Sequence, residues 1–138
     1  MIFVIETNVF ISGVIRPFSK PASILRLAAS GAIRPAYDVR LLSEYREVLR
    51  RPKFGFSSDA IEQLLFQIQE EGMPVVAAPL KFHLPDPDDE AFLEVALAAK
   101  ASALVTGNKR QFPKRIYEEV RILSSAEFLE AWPVDTLP

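Results

Sequence analysis

The 138 residues include no cysteine and only one histidine. The first absence excludes a disulfide framework, a thiolate zinc site and a cysteine nucleophile. The second leaves no histidine cluster for a metal and no pair of imidazoles for proton relay. Metal chemistry must therefore rest on carboxylates, which favour hard cations such as Mg²⁺ or Mn²⁺. Long apolar runs are also missing. The best, Val95 to Val105, is broken by Lys100 and falls short of the roughly 20 apolar residues that a membrane span needs. The opening Met1–Ile5 run has no basic segment before it and ends at Glu6, so no signal peptide is expected. No charge of one sign dominates: 16 Lys and Arg against 18 Asp and Glu give −2, and nothing global demands nucleic acid. What is present, 49% hydrophobic and 25% charged residues, is the composition of an ordinary globular chain. It suits a single domain over 1–138 with a sizeable core and a cytoplasmic location.

Met1–Ile5 is continuously apolar, as in a strand buried on both faces of a parallel sheet. Thr7–Ile15 reads as a turn leading into a short helix, and Pro21 opens a second helix through Ala29, closed by Gly31. Ala32–Ala36 reads as a second strand, with Pro35 limiting how centrally it can pair. Val39–Arg51 is a helix with Leu41, Leu42, Tyr45, Val48 and Leu49 on one stripe. Ser57 or Ser58 caps another helix that stops at Gly72. Pro74–Ala78 is a third strand, and Asp86-Pro87-Asp88-Asp89 opens a helix ending near Ala99. Strands at Ala103–Thr106 and Val120–Leu123 and a last helix over Ser125–Ala131 complete the chain. Alternating strands and helices predict an α/β fold, a three-layer α/β/α sandwich with a mostly parallel central sheet of about five strands. In such folds ligands gather beyond the carboxyl ends of the strands, where strand order reverses.

Polar residues fall where that rule directs attention. Glu6 follows the first strand, with Thr7 and Asn8 able to fix the turn; a solvated turn acid is the plain alternative. Glu44 borders the apolar stripe of its helix, where a carboxylate is costly without a cation or donor, though a bridge to Arg40 or Arg51 would also satisfy it. Asp89 precedes Phe92, Leu93 and Ala96 at helical spacing, so it points inward, with Glu90 and Glu94 outward. Asp86 fits a helix cap. Thr106-Gly107-Asn108 follows the fourth strand and offers an amide acceptor; His83 lies in a loop beside Pro85. Arg50, Arg51 and Lys53 precede Phe54 and Phe56, while Lys109, Arg110, Lys114 and Arg115 surround Phe112. Cations near exposed rings suit phosphate contact and base stacking, although solvated basic faces look the same.

Val4-Ile-Glu-Thr-Asn-Val-Phe-Ile-Ser-Gly13 resembles the opening of PIN-domain nucleases, and Leu41-Leu-Ser-Glu-Tyr-Arg-Glu-Val-Leu-Arg-Arg-Pro-Lys-Phe54 resembles their acidic second motif. Leu84-Pro-Asp-Pro-Asp-Asp-Glu-Ala-Phe-Leu93 and Leu104-Val-Thr-Gly-Asn108 resemble the third and fourth. The order and spacing hold over essentially the whole chain, and the nearest group is the VapC-like toxin components of toxin–antitoxin pairs. The resemblance implies a PIN-like fold and a metal-dependent endoribonuclease acting on single-stranded RNA. It places Glu6, Glu44, Asp89 and Asn108 in the catalytic slots, with Glu6, Glu44 and Asp89 as ligands to Mg²⁺ or Mn²⁺. Thr7, Asn8, Thr106 and Asp86 are expected in supporting roles, and the basic residues Arg50, Arg51, Lys53, Lys109 and Arg110 are the expected RNA contacts. A cognate antitoxin and a homodimer are also implied. Two departures matter: Glu6 stands for the usual Asp, and Asn108 for a frequent Asp. Both imply weaker metal binding and slower cleavage, because Mg²⁺ demands near-octahedral geometry. A catalytically inactive PIN fold that binds RNA or protein is the alternative. A phosphotransfer receiver would need an acceptor Asp after the third strand, which Val75-Val-Ala-Ala-Pro79 does not supply.

Overall fold

A computed structural model describes residues 1–132. The expected domain over 1–138 extends past them, and 133–138 lie outside the described residues. The elements run β1 (Ile2–Ile5), α1 (Thr7–Ile15), α2 (Lys20–Ala29), β2 (Arg34–Tyr37), α3 (Val39–Leu49), α4 (Ser58–Glu71) and β3 (Met73–Pro74). After a long loop come α5 (Glu90–Ala99), β4 (Ala103–Val105), β5 (Ile116–Tyr117), β6 (Val120–Leu123) and α6 (Ser125–Ala131). Short 3₁₀ turns span Pro52–Phe54, Pro87–Asp89 and Lys109–Gln111.

The sheet has the order β3-β2-β1-β4-β6-β5 and is parallel except for the β5–β6 hairpin. This is the expected three-layer α/β/α architecture, with six strands. From β1 the chain moves first to β2 and β3, then returns to β4 on the other side. The strand order therefore reverses between β1 and β4, and their carboxyl ends, at Ile5 and Val105, pair in register. β1 and β4 are buried almost entirely, as sheet centres covered on both faces must be.

Local chemistry explains most boundaries and several corrections. Helix α1 begins at Thr7 without an intervening turn, because Glu6 caps it. α3 stops at Leu49, short of Arg51, because Pro52 disfavours helical geometry in the residue before it. β2 lies inside the sheet despite Pro35: its ladder with β3 begins only at Ala36, so no bond to β3 is asked of the proline there. Gly72 lets α4 end against β2; a Cβ there would stand 2.5 Å from the Pro35 carbonyl oxygen. The third strand is Met73–Pro74 rather than Pro74–Ala78, and Val76 is almost fully exposed. A strand at Ile116–Tyr117 went unexpected, because its two-residue turn, Glu118-Glu119, lacks the usual Asn or Gly. Phe112, expected beside cations at the surface, is a core residue. No helix among the described residues is long and apolar enough to cross a membrane.

Candidate functional site

The carboxyl ends of β1 and β4 meet through side chains as well as strands. Glu6 Oε1 accepts the Asn8 backbone N–H (3.3 Å) and so caps α1. Its Oε2 accepts the Thr106 hydroxyl at 2.6 Å. Thr106, 1% exposed, in turn accepts the Asn108 backbone N–H at 3.1 Å. Aspartate is a preferred cap and glutamate is not; the extra methylene of Glu6 reaches both the cap and Thr106.

Glu44 projects from α3 to the same end, where the Thr7 hydroxyl donates to its Oε2. The next residue, Tyr45, is buried and donates its hydroxyl to the Ile5 carbonyl at 2.6 Å, pinning α3 to the last residue of β1. Burial pushes the Glu44 carboxyl up, the Thr7 hydrogen bond opposes that shift, and the charges of Asp88, Glu6 and Glu47 add to it. Asp89 ends the 3₁₀ turn that opens α5, and its side chain makes no capping hydrogen bond there among the described residues. Burial raises its carboxyl to about 7, aided by repulsion from Glu6, Asp86, Glu44 and Asp88. These mutual effects place Glu6, Glu44 and Asp89, drawn from three chain segments, in one field of negative charge. No Lys or Arg pairs with any of them among the described residues. The donor set suits a hard divalent cation in charge and in atom type. As the side chains stand, no three His, Asp or Glu of the described residues converge closely enough to hold an ion.

The remaining predicted residues are placed as follows. Asp86 caps its 3₁₀ turn by accepting the Asp88 N–H at 2.9 Å. Asn8 touches Glu6 through its backbone and is otherwise exposed. Asn108 is exposed, and its carboxamide oxygen accepts the Arg110 N–H at 3.3 Å. Arg50 pairs with Glu62 at 3.6 Å, Arg51 is exposed, and Lys53 lies over the Phe54 ring at 5.1 Å. Lys109 pairs with Glu127 at 2.8 Å, while Arg110 is exposed. His83 lies 3.3 Å from Glu90.

Glu94 corrects the expectation that it points outward. It is buried, and its oxygens take Arg40 at 2.6 Å and the Leu80 N–H at 3.0 Å, which offsets its desolvation. Arg40 therefore faces Glu94 and Asp38 and not Glu44. Asp88, which with Asp86 could replace part of the charge missing at Asn108, acts on both Glu44 and Asp89, and the Tyr45 hydroxyl has a part that the sequence does not show. The Asp-Pro-Asp-Asp run was the available signal for Asp88, whereas Tyr45 looked like ordinary core.

A family model described as PIN domain matches residues 3–110, and no curated protein matches significantly. Among solved structures, a chain of VapBC2 from Rickettsia felis, crystallised bound to a DNA fragment from their promoter, is similar in fold. The TM-score is 0.59 at 18% identity, covering 88% of this chain and 97% of that one. The model's match spans Glu6, Glu44, Asp89 and Asn108 alike, and on that extent the chain belongs to the PIN domain family.

Proposed function

We propose that this chain is a metal-dependent endoribonuclease that cleaves single-stranded RNA, a cytoplasmic toxin held in check by an antitoxin. The observation that carries this reading is the field of carboxylates from Glu6, Glu44 and Asp89, in which burial and neighbouring charges raise Glu44 and Asp89 and which meets no basic side chain among the described residues. Such a group is relieved by a divalent cation. Family membership supports a nuclease, and the likeness to VapBC2 supports an antitoxin partner; a homodimer is proposed beside it.

Glu6, Glu44 and Asp89 would hold Mg²⁺ or Mn²⁺. The bound ion supplies acidified water and offsets charge on the phosphate oxygens. Thr106 and Thr7 hold the Glu6 and Glu44 carboxylates in place, which matters because small misplacements cost roughly 10²-fold in rate. Burial and the neighbouring acids raise Asp89 in the cation-free site, a cost that a bound cation would relieve by favouring its ionised form. Arg50, Arg51, Lys53 and Arg110 are exposed cations for the RNA backbone; Lys109 is shared with Glu127.

A second reading, a PIN fold that binds without cleaving, is favoured by the oxygens already engaged: Glu6 by Thr106 and Asn8, and Asn108 by Arg110. Cleavage of a labelled single-stranded RNA with Mn²⁺ or Mg²⁺ separates the two. The parent is expected to cleave, and Glu44→Gln and Asp89→Asn to lose roughly 10²- to 10⁴-fold. Equal rates in parent and both variants would refute the site. A silent parent awakened by Glu6→Asp with Asn108→Asp would establish the binding module instead.

A further inference from the structure

We propose that Phe82, stacked on Tyr117 with Lys81 and Lys114 beside the pair, is a platform for one unpaired RNA base. The inference deepens the nuclease reading and rests on it for the nature of the ligand. Tyr117 lies in β5 and is buried, while Phe82 exposes 43% of its surface. Their rings stack with centroids 5.7 Å apart and planes 10° from parallel. Tyr117 is itself fixed, because its hydroxyl accepts the Lys114 backbone N–H at 3.1 Å and Lys114 Nζ lies 5.9 Å from its ring centre. Phe82 is therefore backed by a second ring and open to solvent. The other strongly exposed phenylalanines, Phe18 and Phe66, have no aromatic partner among the described residues.

Position connects this ring to the acids. Glu90 Oε2 accepts the Leu84 N–H at 2.9 Å and faces His83 at 3.3 Å. The segment carrying Phe82 is thus tied to the first residue of α5, directly after Asp89. Tyr117 pairs with Val120, level with the start of β4, and its hydroxyl reaches Lys114, which precedes Arg115 opposite Ile122, nearer the carboxyl end of the sheet. Lys81 and Lys114 have no carboxylate partner among the described residues, whereas Arg115 donates to the Lys109 and Phe112 carbonyls. The acids close by are Glu90, engaged as above, and Glu118 and Glu119 in the hairpin turn. A π-face next to unpaired cations complements a base and its flanking phosphates. A duplex keeps its base faces stacked inside, so a single strand is the matching form.

Anisotropy of a short labelled single-stranded RNA in EDTA measures binding apart from cleavage. Phe82→Ala should raise Kd roughly 5- to 150-fold, the loss of one stacked base. Phe82→Trp should retain affinity, and Lys114→Ala should lower the salt dependence by about one contact. Phe66→Ala, beside Asp59 and Glu62, should leave Kd unchanged, with melting curves confirming that each variant folds. Duplex RNA should compete poorly. The platform is overturned if the parent binds no single strand, if Phe82→Ala binds as the parent does, or if duplex competes equally. Cleavage by Phe82→Ala with an unchanged KM would remove the platform and leave the nuclease standing. A parent that binds through Phe82 yet cleaves nothing would keep the platform and remove the nuclease.

Discussion

Asp89 links the candidate site to stability, because its carboxyl titrates at about 7 in the folded chain against an ordinary 3.8. Between those values the folded state holds a proton that the unfolded state has released. Stability of the cation-free protein is therefore expected to fall as pH rises from about 4 to about 7. Urea titrations in EDTA across that window should show the decline, and Asp89→Asn should flatten it. Adding Mn²⁺ at pH 7 should restore stability to the parent more than to the variant, since a cation that prefers the ionised carboxylate binds only the folded site. A pH dependence identical in parent and variant would show that Asp89 is not in this field. At this scale the sequence was informative but incomplete. Spacing against Phe92, Leu93 and Ala96 marked Asp89 as inward-facing, yet the same periodicity sent Glu94 outward. Its burial depends on Arg40, a residue from another helix.

That ion pair is a matter of elements. Arg40 lies one turn before Glu44 on α3, and Glu94 lies on α5, which Asp89 precedes; the 2.6 Å bridge holds the two acid-bearing helices in register. Tyr45 performs a similar task between α3 and β1. Arg40→Met leaves Glu94 with one backbone donor and should cost about 1–3 kcal/mol, discounted because the Arg40 head is half exposed. Urea unfolding checks the cost, and a drop in Mn²⁺ affinity would show that the bridge also sets the distance between Glu44 and Asp89. Element identities were otherwise readable, since caps such as Ser57 and stripes such as Leu41 to Leu49 are local signals. Misjudged elements were those with two-residue ladders, β3 and β5, where pairing depends on the neighbour and not on the strand's own residues.

For the molecule as a whole, the centre of the sheet is both the most buried region and the base of the site. β1 pairs on both sides and β4 joins it to β6, whereas β3 and β5 are short edges. Native-state hydrogen exchange should therefore be slowest in Phe3–Ile5 and Leu104–Val105 and fastest in β3 and β5. Exchange in β1 as rapid as at the edges would contradict this arrangement. By itself the amino-acid order determined the alternation of strands and helices, the PIN-like motif order and the acids offered at strand ends. Those properties arise from apolar period, capping and turn chemistry within a few residues of chain. Only the tertiary structure decided that Thr106 meets Glu6, Thr7 meets Glu44, Arg40 meets Glu94 and Phe82 meets Tyr117. Each contact joins residues far apart in the chain, so its geometry follows from how the sheet orders its strands and how the helices pack over them.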